Sequence, residues 1–258
     1  MSSLRLLSTD FDGTLIAHPS DGRCSRAFAD VLKRHRESGG VWAINTGRGL
    51  EHAIEGVRIF SAPYEPDYLL TNEREIFLRA GEGNWEPDWA WNDLCRKRHE
   101  ELFSRAGTVF SKIAELASAS PDVTLIEENG TLVGLVTTSE LIMEEVAGFI
   151  NRESDHLPEF SFQRNTVYLR FCHRDYHKGS ALGALCRRLS IRREEVLAAG
   201  DQFNDLSMLD GTYAAFPCCP SNAILEVKSA VQAAGGYAAA LPAADGVAEA
   251  WRFFTNQP

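Results

Sequence analysis

The order of apolar and polar positions near the N-terminus predicts a strand, a helix and a second strand. A short, largely apolar run begins at Leu4 and ends before Asp10. One helical face then follows at the i, i+3, i+4 and i+7 spacing: Phe28, Val31, Leu32 and His35. A second apolar run occupies residues 41–45. A βαβ unit of this kind is right-handed, so the ends of its two strands should lie side by side.

A change of pattern further along the chain indicates a second domain. After predicted strands at 68–72 and 75–78, the composition becomes aromatic and polar from about residue 84. From there to about 173 the pattern predicts a long helix, two strands, a helix and two more strands. Asn129-Gly130 is a hairpin signal, and Arg164-Asn165 is expected to form the second turn. These hairpins predict a small antiparallel sheet with one covered face.

The chain then returns to parallel α/β order. A helix is predicted from Lys178, followed by strands at 196–200 and 213–216, a helix at 222–231 and a C-terminal helix that includes Gly246. The predicted fold class is therefore α/β: a Rossmann-like parallel-sheet core (1–83 and 174–258) with an inserted smaller α+β cap domain (84–173).

Composition narrows the function classes. The 258 residues are 44% apolar and carry a net charge of −10, which disfavours a nucleic-acid or membrane-surface partner. No apolar stretch of about 18 residues predicts a membrane span. Met1-Ser2-Ser3 leads straight into the first strand, so no signal peptide is expected. The six scattered cysteines are expected to be reduced core thiols, as in a cytoplasmic protein. The expected assembly is a monomer or a small homo-oligomer.

Two carboxylates follow the first strand. Asp10 and Asp12 should point to one side, where their charges repel unless a cation or a shared proton relieves them. Hard oxygen ligands suit Mg²⁺. The alternative is a strand end followed by an Asx-type turn.

Polar residues follow two other strands and one helix start. Thr46 and Gly47 could hold a phosphate oxygen, but Thr46 taken alone favours a cap for the helix that carries Leu50. A second acidic cluster follows the strand at 196–200: Asp201, Asn204 and Asp205. Alone, this cluster would be read as a helix cap, and Lys178 as a solvated lysine.

Four segments in this order resemble the motifs of the haloacid dehalogenase superfamily of phosphohydrolases. They are Asp10-Phe11-Asp12-Gly13-Thr14-Leu15, Asn45-Thr46-Gly47-Arg48, Lys178-Gly179-Ser180 and Gly200-Asp201-Gln202-Phe203-Asn204-Asp205. The insertion between the second and third segments resembles the α/β cap of the subgroup that contains the Cof-type and sucrose-phosphate phosphatases. The likeness extends over essentially the whole chain.

The resemblance implies a role for each matching position. Asp10 would be the nucleophile, and Asp12 would protonate the leaving group and then deprotonate water. Phosphate-binding residues would be Thr46, Gly47, Arg48, Lys178 and Asn204. The metal, Mg²⁺, would be held by Asp10, Asp12 (through its carbonyl), Asp201 and Asp205.

The implied activity is Mg²⁺-dependent hydrolysis of a small phosphorylated metabolite, a sugar phosphate, through an aspartyl-phosphate. A phosphomutase and a non-catalytic phosphometabolite sensor are the alternatives. Substrate-reading candidates near the cap are Arg152, Arg164, Arg170 and Arg174, whereas His173 and His177 are interpreted as surface or linker residues. Asn72-Glu73-Arg74 replaces the Asn-Gly-Ala usual in Cof-type relatives. This predicts a different turn and argues against a direct transfer of substrate preference from those relatives.

Overall fold

The computed structural model describes residues 4–17, 22–81 and 83–256, which divide into two compact units. The larger unit comprises the described residues up to Asn92 together with those from Lys178 onward, and the smaller unit runs from Asp93 to His177. The fold class predicted from the sequence, a parallel-sheet α/β core with an inserted smaller α+β part, is confirmed.

An eight-stranded sheet forms the centre of the larger unit. Its strands are β1 (Leu6–Thr9), β2 (Val41–Asn45), β3 (Tyr68–Thr71), β4 (Glu75–Gly81), β5 (Asn84–Pro87), β10 (Val196–Ala199), β11 (Phe216–Cys219) and β12 (Tyr237–Ala238). The order across the sheet is β12-β11-β10-β1-β2-β3-β4-β5. All neighbours are parallel except β3–β4 and β4–β5, which are antiparallel. β1 therefore lies between β2, which precedes Thr46, and β10, which precedes Asp201.

Helices cover both faces of this sheet. They are α1 (Arg26–Glu37), α2 (Leu50–Phe60), α6 (Lys178–Leu189), α7 (Leu206–Leu209), α8 (Leu225–Ala233) and α9 (Ala243–Thr255). Leu7 packs with Phe28 and Trp251 on one face, whereas Leu6 packs with residues of α6 and α8 on the other. Alternate β1 side chains enter different cores, so the central strands must be apolar on both faces.

The smaller unit has a four-stranded antiparallel sheet and its own core. Its elements are the C-terminal part of α3 (Trp89–Arg105), α4 (Gly107–Ala119), β6 (Val123–Glu128), β7 (Thr131–Thr137), α5 (Glu140–Glu153), β8 (Phe160–Asn165) and β9 (Tyr168–His173). The sheet order is β6-β7-β9-β8. Val109, Ile113 and Ile150 from the helices pack with Leu135 and Phe171 from the sheet.

Three local predictions in these regions need correction. The single long helix is two, because Gly107 begins a new helix after the buried Ala106. The second hairpin turns at Thr166 (φ 51°) and not at Arg164-Asn165, since the buried Arg164 side chain bonds to Glu144 and keeps its residue in the strand. Residues 84–92, expected in the insertion, belong to the larger unit, because β5 pairs with β4.

The strand expected at 213–216 lies later, at Phe216–Cys219. Tyr213 instead packs its ring against α6, where a Cβ added at Gly183 would lie 2.5 Å from the Tyr213 ring. By contrast, the Asn129-Gly130 turn is confirmed, with both residues at positive φ (51° and 76°). No helix among the described residues is long and apolar enough to cross a membrane.

Candidate active site

β1 delivers Asp10 to the carboxyl end of the parallel sheet. The Asp10 N–H donates to the Ala199 carbonyl at 2.8 Å, and the side chain is buried, whereas that of Asp12 is 37% exposed. The turn that follows needs glycine, because Gly13 has φ +85° and a Cβ there would lie 2.2 Å from Asp201 Oδ2. This turn brings the first acidic segment against the second.

Thr46 follows β2 and is buried. Its N–H donates to the Leu70 carbonyl at 2.8 Å, and its Oγ1 accepts from the Arg48 N–H at 3.2 Å. The N-cap residue of α2 is Gly49, so the interpretation of Thr46 as the cap of that helix is wrong. Since the hydroxyl oxygen acts as an acceptor here, its hydrogen is available for a ligand oxygen.

Lys178, the first residue of α6, places its ammonium between two carboxylates. The side chain is fully buried, with Nζ 2.7 Å from Asp10 Oδ1 and 2.7 Å from Asp205 Oδ1. Asn45 holds the helix start by donating from Nδ2 to the Lys178 carbonyl at 3.0 Å. A solvated lysine is therefore excluded.

The loop after β10 is folded around the Asp205 side chain. Asp205 Oδ2 accepts from the N–H groups of Asp201 and Gln202 at 2.8 and 2.9 Å. Asp201 Oδ1 accepts from the Thr14 hydroxyl at 2.6 Å, which ties this loop to the loop after β1. Asp205 thus joins the backbone of its own loop to Lys178.

Burial dominates the electrostatics of this cluster. Burial raises the pKa of the Asp10 carboxyl well above its ordinary value, although the charge of Lys178 acts in the opposite direction. Burial also raises the pKa of Asp201, and the charge of Asp205 adds to that increase. Burial alone would lower the pKa of Lys178, but the charges of Asp10, Asp205 and Glu73 outweigh it and raise that pKa. The carboxylates therefore keep Lys178 protonated.

The same cluster fits a divalent metal ion. Carboxylate oxygens of Asp10, Asp201 and Asp205 lie within 4.8 Å of one another, and all three residues are buried. Lys178 is bonded to Asp10 and Asp205 but not to Asp201. Three buried carboxylates with one lysine carry excess negative charge, which a hard cation bound by their oxygens would offset.

Asp12 makes a different contact. Arg48 donates to both of its oxygens, from Nε to Oδ2 at 2.6 Å and from Nη2 to Oδ1 at 2.5 Å. The guanidinium also lies over the Phe11 ring, 4.9 Å from its centroid. In this arrangement Arg48 binds Asp12, whereas the sequence motif predicts that it binds phosphate.

Asn204 and Glu73 complete the described surroundings of the cluster. Asn204 Nδ2 donates to Glu73 Oε1 at 2.9 Å, and burial raises the pKa of Glu73. From the sequence, Glu73 is only a change in a turn, and its place beside Asn204 is not predicted. The available signal was a long acidic side chain at a turn position that favours glycine.

Two candidates in the smaller unit are engaged within that unit. Arg164 is buried and donates to Glu144 Oε1 at 2.6 Å, whereas Arg170 makes a two-point contact with Glu128 at 3.0 and 2.9 Å. Arg152 and Arg174 are exposed. His173 is buried in β9 and its Nδ1 accepts from the Asp175 N–H, so its interpretation as a surface residue is wrong.

A parallel α/β sheet with buried aspartates and a lysine at its carboxyl edge defines a class of phosphoryl-transfer hydrolase, and comparison with known proteins agrees. A model of the haloacid dehalogenase-like hydrolase family matches residues 112–250, more than half of the chain. The chain therefore belongs to that family. The resemblance drawn from the motifs is confirmed, and so is the enzyme class, a phosphatase-type member of the superfamily.

Individual relatives are more distant. Mannosylfructose-phosphate phosphatase of Agrobacterium fabrum (strain C58) is 27% identical over 223 residues, which cover 81% of this chain and 80% of the relative. Glucosylglycerol-phosphate synthase of Pseudomonas anguilliseptica is 26% identical over 208 residues, 81% of this chain, but the chain spans only 25% of that protein's length. The structure of sucrose-phosphatase from Synechocystis sp. PCC6803, in complex with sucrose and phosphate, aligns with a TM-score of 0.73 at 19% identity, over 98% of this chain and 99% of the other.

Proposed function

We propose that this protein hydrolyses the phosphomonoester of a small sugar phosphate, with Mg²⁺ as cofactor and Asp10 as nucleophile. The observation that carries the proposal is the buried Asp10 carboxylate, held by Lys178 within a cluster that includes Asp201 and Asp205. The sugar is inferred from the relatives, one named for a mannosylfructose phosphate and one bound to sucrose and phosphate.

Asp10 attacks phosphorus in the first step. A bond forms between its carboxylate oxygen and phosphorus while the bond from phosphorus to the sugar oxygen breaks, which leaves an aspartyl-phosphate and an alkoxide. Lys178 orients Asp10 through Oδ1, and two of its three N–H groups are used by Asp10 and Asp205. The third N–H and the Thr46 hydroxyl would donate to phosphoryl oxygens, with Gly47 supplying a backbone N–H.

Asp12 would give a proton to the departing alkoxide and then take one from the water that cleaves the aspartyl-phosphate. The second step requires Asp12 as the carboxylate, and Arg48 contacts both of its oxygens. For the first step Arg48 must release Asp12. The Arg48 side chain is 25% exposed and that of Asp12 is 37% exposed, which leaves room for this movement. Once released, Arg48 would be free to bind phosphate, as the sequence motif suggests.

Asp10, Asp201 and the Asp12 carbonyl would hold Mg²⁺, with Asp205 supporting them. When bound, the ion would neutralise charge between the carboxylates and the phosphate. We also propose that the smaller unit, which is the predicted cap, selects the sugar.

We further propose a cytoplasmic protein that acts on a small molecule and not on nucleic acid. The net charge of −10 and the lack of disulfides among the described residues support this assignment. A monomer or small homo-oligomer remains the prediction for its assembly.

The test is phosphate release from a panel of sugar phosphates, nucleotides and an aryl phosphate, with Mg²⁺ or EDTA. Asp10→Asn should lower kcat about 10³-fold or more, because an amide is a poor nucleophile. Asp30→Asn, on the exposed side of α1, is the matched control and should keep full activity. Turnover that persists in EDTA or in Asp10→Asn would refute the proposal, and transfer of the phosphoryl group to a second position of a hexose phosphate would favour the mutase.

A further inference from the structure

The turn between β3 and β4 holds a residue that is both strained and buried. Arg74 N–H donates to the Thr71 carbonyl at 3.0 Å, and the two central residues, Asn72 and Glu73, have φ of 49° and 64°. Glycine is strongly preferred at the second of these positions, because a side chain at positive φ is strained by about 1 kcal/mol or more. Glu73 is nevertheless only 6% exposed.

Glu73 joins two loops of the candidate active site. Its N–H donates to the Thr46 carbonyl at 3.0 Å, and Oε1 would lie 3.2 Å from a Cβ added at Gly47, so it lies directly against the predicted phosphate loop. Oε1 also accepts from Asn204 Nδ2 at 2.9 Å, which connects it to the loop that carries Asp201 and Asp205. A glycine at position 73 would make none of the side-chain contacts.

The contact with Glu73 orients the Asn204 amide. Since a carboxylate accepts only, the Asn204 NH₂ group must face Glu73. Asn204 Oδ1 is then buried and has no hydrogen-bond partner among the described residues. An unsatisfied buried acceptor of this kind requires a donor from water or a ligand.

We propose that Glu73 is a positioning residue of the active site: it holds Asn204 so that the second Nδ2 hydrogen donates to a phosphate oxygen and Oδ1 accepts from a water molecule at the site. The inference rests on the proposed phosphatase function. Glu73 acts as a hydrogen-bond acceptor and does not touch the reacting atoms. Its charge also helps to keep Lys178 protonated, and Glu73→Gln removes that contribution while it keeps an acceptor for Asn204.

Two substitutions separate these contributions. Glu73→Gln keeps the length of the side chain and an acceptor oxygen, and it should bind inorganic phosphate in the presence of Mg²⁺ within about threefold of the wild type. Glu73→Gly removes the acceptor and should weaken phosphate binding about tenfold, the effect of one lost charge-assisted hydrogen bond. Because glycine adopts the positive φ at position 73 without strain, the melting temperature of Glu73→Gly should equal or exceed that of the wild type.

Isothermal titration calorimetry with inorganic phosphate measures these affinities without turnover, and kcat and KM are measured in parallel. Asn72→Gly is the matched control, since it relaxes the same turn without removing Glu73, and it should leave phosphate affinity unchanged. In an Asn204→Ala background, Glu73→Gly should have no further effect, because Glu73 acts through Asn204.

The proposal is overturned if Glu73→Gln is as weak as Glu73→Gly, if Glu73→Gly binds phosphate normally, or if its effect persists in Asn204→Ala. A fall in the melting temperature of Glu73→Gly would assign Glu73 to stability and would also overturn it. Phosphate binding without turnover in the wild type would refute the proposed function alone, and the variants would still decide the role of Glu73. A wild type that binds no phosphate would refute both.

Discussion

Lys178→Met is the most direct perturbation of the buried charge cluster. It replaces the ammonium with an apolar group of similar length in a position with no solvent exposure. Two hydrogen bonds of 2.7 Å, to Asp10 and to Asp205, are lost together. The carboxylates remain buried and without their cation.

The structure sets the size of the expected effect. Removing one partner of a buried ion pair typically destabilises a protein by about 3–5 kcal/mol, because an uncompensated charge is left behind. Asp205 keeps its two backbone donors, so the loss is concentrated on Asp10, whose pKa burial already raises. We therefore expect the free energy of unfolding to fall by about 3–5 kcal/mol in EDTA.

Urea denaturation followed by tryptophan fluorescence measures this difference. Mg²⁺ should restore part of the stability, because a cation that binds the folded state shifts the equilibrium toward it. Lys33→Met is the control: Lys33 is 63% exposed on α1, and its replacement should change stability by no more than about 0.5 kcal/mol. If Lys178→Met unfolds within about 1 kcal/mol of the wild type in EDTA, the cluster is not stabilised by this lysine and the reasoning fails.

Three further predictions concern the same unit. Gly13→Ala should lower the free energy of unfolding by about 1–3 kcal/mol in urea, because its φ is +85° and the added Cβ would meet Asp201; an unchanged midpoint would contradict this. Asp201→Asn removes a charged oxygen ligand and should weaken Mg²⁺ binding in calorimetry by at least the about 10- to 100-fold that loss of a supporting group costs; equal affinity would exclude Asp201 as a ligand. Burial lowers the pKa of His35, so the unfolded chain binds more protons as the pH falls below about 6.5. Wild-type stability should therefore drop between pH 7 and pH 5 more steeply than that of His35→Gln, and parallel curves would exclude the effect.

Hydrophobic periodicity was sufficient to predict most elements of the larger unit. Phe28, Val31, Leu32 and His35 are the buried residues of α1, as their spacing predicted. The runs at 41–45 and 196–199 are strands, because central parallel strands must be apolar on both faces. The errors came where local signals were ambiguous, as at Tyr213 and Arg164, whose side chains are held by neighbours distant in the sequence.

The order of the motifs along the chain was sufficient to identify the candidate site residues. Each of them follows a strand or begins a helix, so topology alone places them at one edge of the sheet: Asp10, Thr46, Lys178 and Asp201. Only the tertiary structure decided which partners they take. Arg48 pairs with Asp12, Asp205 folds back on its own loop, and Glu73 reaches Asn204, 131 positions away. Spacing along the chain specifies secondary structure and crossover direction, whereas hydrogen bonds between loops depend on side-chain directions and burial that arise only when the strands are assembled.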